Sequence, residues 1–262
     1  MAEFITFDRL LWDAGIFLNA GLIVLLLYRK NYRVFPFIFG YALLNLVQGF
    51  ALIQFYRIWG FQSAIALKLG WGTQGVVTCA RAMAVAEICH RILAKYSGIW
   101  QLAWRLLVAA ATAISLYALA VAKGNLAFGI LNMDRGLELA IAAVILLLFL
   151  FVRYYELDVE AAVRTLAIGF FLFSCFHVLN DTILERWLYR YAQFWNRLEL
   201  LAFPASLMLW SLALRRTLPR VAYEPEMLPE GLYQTLVPEI NYRLKTINEH
   251  LGQLWYARRD RT

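Results

Sequence analysis

Charge is scarce in this chain. Of 262 residues only 16% are charged, while 62% are hydrophobic. A soluble domain carries roughly a quarter charged residues and about half apolar ones. That contrast excludes an ordinary cytosolic enzyme, and so much apolar surface equally excludes a disordered chain. Cysteine is sparse too: Cys79, Cys89 and Cys175 all fall inside apolar runs. An odd number of thiols in hydrocarbon-like stretches gives no disulfide framework, so they read as small packing residues. Basic residues never form a block. The net charge of +7 comes from Lys and Arg that punctuate hydrophobic segments, the pattern of membrane borders and not of a nucleic-acid surface. The opening residues, Met1 to Arg9, have no basic n-region and no small-residue cleavage site. The first apolar run is therefore expected to stay as a helix.

What remains is a multi-pass membrane protein, with the lipid bilayer as its first partner. Seven apolar runs stand out, at Leu10–Tyr28, Phe35–Tyr56, Gly70–Leu93, Leu106–Ala122, Gly136–Val152, Thr165–Leu184 and Leu198–Leu214. Each can cross about 30 Å of hydrocarbon as a helix. Strand alternation is missing, so a barrel is excluded. The third run is expected to begin earlier, near Ser63. The fold predicted is an all-α bundle of seven transmembrane helices over residues 1–216, in a plasma (inner) membrane. Small residues Ala80, Ala82, Ala84 and Ala86 favour a central place for the third helix. No internal repeat is visible.

With the N-terminus outside, 16 Lys and Arg lie on the inner side and 8 on the outer, with Arg81 inside a span. The positive-inside rule then puts the C-terminus in the cytoplasm. Half of the inner count belongs to the tail from Arg215 onward. Aromatic residues Trp187, Tyr189, Tyr191, Phe194 and Trp195 alternate with charge in one outer connection, as a headgroup-level belt does.

After Arg216, Pro219, Pro225, Pro229 and Pro238 mark residues 217–238 as a polar linker. Residues 239–262 follow as a tail. Within it Ile240, Leu244, Ile247, Leu251 and Leu254 make one narrow apolar stripe on a predicted helix. Such a stripe suits the inner leaflet, a protein partner or a second copy of the chain.

Ionisable groups inside spans are costly and mark function by default. Counting helical rise from each span centre puts Arg81 near the midplane and His177 roughly 4 Å outward. Asp181 lies one turn beyond His177 with Asn180 beside it, while Asp13, Glu138 and Glu199 fall roughly 8–10 Å outward. Polar residues thus gather in the outer half, and the inner half is apolar except for Glu87 and His90. The expectation is a ligand pocket built by Arg81, Glu138, His177, Asn180, Asp181 and Glu199. Arg81 should pair with Glu138 or Glu199, because neither charge can sit alone at that depth.

Metal and cofactor chemistry finds less support. Glu87 and His90 form a Glu-x-x-His pair, but a di-iron bundle needs two such pairs and further Glu. His90 and His177 differ by roughly 17 Å in depth, which excludes a haem ligated by both. His177, Asp181, Glu138 and Glu199 are the weak candidates for a single metal ion, and a membrane-embedded hydrolase or transferase acting on a lipid-linked substrate would follow. Glu87 is expected to pair with Arg91 at i+4. The layout resembles seven-helix receptors and rhodopsins in topology alone. The seventh run has no lysine for a retinal Schiff base, no Asn-Pro-x-x-Tyr and no histidine pair of the ceramidase-like hydrolases. The reading that follows is a non-enzymatic sensor or accessory subunit without a cofactor, with an outer pocket and a cytoplasmic docking tail.

Overall fold

The computed structural model describes residues 2–60, 63–94, 97–122, 126–186 and 192–218, with residues 238 and 242. Within these helices the side chains of residues 2–9, 67, 97–98, 126–128, 180–186, 192–197 and 199 are outside the description. Among the described residues there are seven α-helices and no strand. They are α1 (Ala2–Tyr28), α2 (Pro36–Trp59), α3 (Ala64–Leu93), α4 (Ser97–Ala122), α5 (Leu126–Tyr154), α6 (Ala161–Arg186) and α7 (Ala192–Ala213). Five of them, α1, α2, α4, α5 and α6, contain a stretch long and apolar enough to cross a membrane. α3 is diluted by its own polar residues, and the described apolar part of α7, Leu200–Ala213, is shorter.

Six helices close a ring in the order α1, α2, α3, α5, α6, α7 and back to α1; α4 packs outside it on α5 and α3. α3 also touches α6 across the ring, which gives it the central position its small residues favour. Helix directions follow from the contacts. Thr78 and Arg81 of α3 meet Asp134 and Glu138 of α5 in rising order, so these two neighbours run parallel. Their α6 partners, His177 and Ser174, come in falling order, so α6 runs against both.

Core packing concentrates at one end of the ring. Trp210 stacks on Phe170 at 4.3 Å between ring centroids and meets Tyr41 edge-on at 5.9 Å. Gly169 makes this approach possible, because a Cβ there would lie inside the Trp210 indole. The outward surfaces carry exposed Phe17, Val24, Leu116, Leu119, Leu147 and Leu150. On a water-facing surface such a belt would drive aggregation, whereas against lipid it costs nothing.

Three side chains tie helix ends together at the same end. Glu87 of α3 accepts hydrogen bonds from the Phe37 and Ile38 amides at 3.2 and 3.0 Å. It thereby caps α2, whose first residue Pro36 offers no N–H. Arg91 meanwhile bridges Glu160 at 3.2 Å and lies over the Phe35 ring. Asn31, in the single 3-10 turn between α1 and α2, donates to the Leu214 and Arg216 carbonyls at 3.0 and 2.9 Å. Its Oδ1 accepts from the Leu218 amide at 3.0 Å. Carbonyls just past the end of α7 thus find partners on another connection.

Several helices begin well before their predicted runs: α1 at Ala2 instead of Leu10 and α7 at Ala192 instead of Leu198, with the two largest differences at α4 and α5. α4 begins at Ser97 instead of Leu106, and α5 at Leu126 instead of Gly136. The pair Asp134–Arg135 looked like a border of α5, yet Asp134 is buried and hydrogen-bonded inside the bundle. A charge with built-in partners does not end a span. The third helix does start beside Ser63, as expected. The linker 217–238 lies outside the described residues except at 217, 218 and 238. The stripe Ile240, Leu244, Ile247, Leu251 and Leu254 lies outside them, as do the side chains of the aromatic connection.

Candidate functional site

Polar residues on α3, α5 and α6 recur at helical spacing and stack into two layers. In the first, Thr78 Oγ1 donates to Asp134 Oδ1, and His177 Nε2 lies 3.1 Å from Asp134 Oδ2. An ionised carboxylate only accepts, so this bond places the proton of a neutral His177 on Nε2. In the second, Arg81 Nη1 donates to Glu138 Oε1, and Ser174 Oγ donates to Glu138 Oε2 at 2.6 Å. Each carboxylate therefore serves as a hub that joins α3 to α6. The first layer extends sideways: Gln74 Nε2 reaches Asp134 at 3.5 Å, and Gln48 of α2 donates to Gln74 at 3.1 Å.

Arg81 is 3% exposed and Glu138 fully buried. Burying two charges is costly, and only close pairing with further hydrogen bonds offsets it. The guanidinium has Glu138 on Nη1, and the Phe173 and Tyr41 rings at 4.4 and 5.6 Å from its central carbon. Phe173 also stacks parallel to His177. Cation–π contact of this kind strengthens when water is excluded.

Beside the layers a cavity of about 280 Å³ opens inside the ring, walled by α1, α2, α3, α6 and α7. Its lining residues lie around the mid-lengths of these helices. Its polar lining is Asn19, Asn45, Gln48, Gln74, Arg81 and His177, and its remaining wall is apolar, with Trp12, Ile16 and Phe203 among others. Asp134 and Glu138 stand behind that wall on α5. Among the described residues, Asn19 Oδ1 and Arg81 Nε are buried without a hydrogen-bond partner, and both residues line the cavity. Pro204, also in the wall, has no N–H for the Leu200 carbonyl one turn earlier.

Of the six residues expected in a pocket, the fold brings together Arg81, Glu138 and His177. Glu138 is the partner of Arg81, as one of the two expected pairings had it. Along α5 it lies two residues from the centre of Leu126–Tyr154, roughly 3 Å by helical rise. Asn180, Asp181 and Glu199 belong to α6 and α7, but their side chains lie outside the description. Sequence reasoning missed Asp134 and Thr78, and missed Asn19 altogether. Asp134 was readable from its i+4 spacing to Glu138, had Asp134–Arg135 not been taken for a span border.

No three His, Cys, Asp or Glu side chains gather as metal ligands among the described residues. Of the weak metal candidates only His177 and Glu138 have described side chains, and each is engaged in a separate layer. His90 lies on α3 against Trp100, with 4.6 Å between ring centroids. All three cysteines are free thiols. No protein-family model, no curated protein and no solved structure matches the chain.

Proposed function

We propose that this is a multi-pass membrane receptor or accessory subunit whose ring of helices holds a small, polar-headed ligand against Arg81. All seven helices cross the bilayer in this reading, with the N-terminus outside, the cavity toward the outer face and the tail in the cytoplasm of a plasma (inner) membrane. Arg81 carries the proposal. A buried guanidinium already neutralised by Glu138, on a residue that lines the cavity, is suited to hold the polar head of a ligand. It offers no nucleophile or leaving-group acid for catalysis. The Lys and Arg excess on the inner side supports the orientation, and the stripe Ile240–Leu254 supports docking of the tail on the membrane or on a partner.

Native mass spectrometry of the protein released from its own membrane in mild detergent tests the reading. The expected spectrum shows a small-molecule adduct on the folded chain. The double variant Arg81→Met/Glu138→Leu, which removes the pair without stranding a charge, should lose that adduct while remaining folded. A wild-type chain free of any adduct, or an adduct retained by the double variant, overturns the proposal.

A further inference from the structure

Five basic residues from two distant parts of the chain meet at the end of the bundle where α1 and α7 finish. Arg29, Lys30 and Arg33 belong to the connection between α1 and α2, and Arg215 and Arg216 follow α7. All five are exposed. Asn31 brings the two segments together. Its buried side chain bonds the Leu214 carbonyl, the Arg216 carbonyl and the Leu218 amide at 3.0, 2.9 and 3.0 Å. Leu214 and Leu218 are themselves buried, so the segment after α7 is pinned against the turn.

Among the described residues no carboxylate pairs with any of the five. The sequence has no acidic residue between Asp13 and Glu87, or between Glu199 and Glu224. Glu87 and Glu160, at the same end, are engaged by the α2 amides and by Arg91. Like charges gathered beside a low-dielectric bilayer repel one another. Lys30 adds a backbone cost, because it sits in the left-handed region at φ 55°, where glycine is the usual residue.

The surroundings say which anion would relieve that repulsion. The apolar stretch of α1 ends at Tyr28 and that of α2 begins at Pro36, so the basic turn lies at a bilayer border. Leu27 and Phe37, on either side of it, are exposed and apolar. The Arg29 guanidinium lies over the Tyr28 ring, and Arg33 lies over Tyr32 while donating Nε to its hydroxyl at 3.1 Å. Arginine forks match phosphate oxygens. A phosphate with hydrocarbon attached suits both the charge and the apolar flank, whereas a soluble anion leaves the flank unmatched.

We propose that this platform binds the phosphate head of an anionic phospholipid, with Leu27 and Phe37 against its acyl chains. The assignment rests on the multi-pass reading and is independent of the cavity at Arg81.

The full chain in mild detergent is titrated with phosphatidylglycerol and with phosphatidylcholine of the same acyl chains, and native mass spectrometry counts the lipid-bound species. The first phosphatidylglycerol should bind about tenfold or more tighter than the first phosphatidylcholine. Lys30→Gln/Arg33→Gln and Arg215→Gln/Arg216→Gln should each remove most of that preference. Arg153→Gln/Arg164→Gln, which changes exposed basic residues at the same end of the bundle, should keep it. Asn31→Ala removes no charge and should still weaken the lipid; if it fails to fold, the surface variants decide alone. The Arg81→Met/Glu138→Leu chain should bind the lipid as the native chain does, which separates this test from that of the cavity. Equal affinity for the two lipids, or an equal loss from the Arg153/Arg164 variant, overturns the proposal. Inorganic phosphate bound as tightly as phosphatidylglycerol also overturns it, because the ligand would then be a soluble anion.

Discussion

Asp134 and Glu138 stand four residues apart on one face of α5, and each closes its own layer between α3 and α6. The two hubs differ in the charge they hold. Glu138 holds a permanent cation, Arg81, whereas Asp134 holds a hydroxyl and an imidazole. Their removal should therefore have different costs.

Replacing Glu138 with Leu strands a buried guanidinium and should destabilise the bundle by about 3–5 kcal/mol. Arg81→Met alone should be similarly harmful, while the double variant should recover most of the loss. Unfolding in detergent, arranged as a double-mutant cycle, checks this. Additive single and double effects would show that the pair has no special coupling.

At Asp134 the expected loss is smaller. Asp134→Asn keeps an acceptor for Thr78 or His177 and should cost about 1 kcal/mol, with Asp134→Ala nearer 2–3 kcal/mol because both donors lose their partner. The same unfolding assay reads the difference, and equal values for Asn and Ala would contradict the hub role.

Glu87→Ala removes the cap that α3 supplies to α2. A loss of about 1–2 kcal/mol is expected, with faster hydrogen exchange confined to the Phe37 and Ile38 amides. Exchange rates unchanged at those two amides would show that water caps the helix equally well.

Gly169→Val places a side chain where the Trp210 indole lies. Overpacking of this kind costs about 1–3 kcal/mol, and the Trp210 contribution to near-ultraviolet circular dichroism should fall with it. A variant as stable as the native chain would mean that α6 and α7 can separate freely.

The helices were legible because hydrocarbon demands long apolar runs, and each predicted run lies within one observed helix apart from Phe35 and Leu214. Their limits were less so. Arg105 and Asp134–Arg135 read as borders, since sequence alone does not say which charges have partners in the fold. The same limit governed the site. Arg81 and Glu138 announced themselves as charges too deep to stand alone. Thr78 and Ser174 did not, because a hydroxyl in an apolar run usually bonds its own helix, as Thr112 and Ser115 do. Asn19 became visible only when the fold showed which end of its amide lacked a partner.

The position of α4 outside the ring has a consequence for symmetry. The six ring helices divide into two consecutive triplets, α1–α3 and α5–α7, and half a turn about the ring axis exchanges their places. α3 and α5 run parallel, so the exchange also preserves helix direction. A chain folding three antiparallel helices and then three more would bring the second triplet in upside down; the additional pass of α4 restores its orientation. The frame is thus pseudo-twofold, like a dimer of three-helix units fused through a linker helix. The polar layers ignore that symmetry, drawing one helix from the first triplet and two from the second.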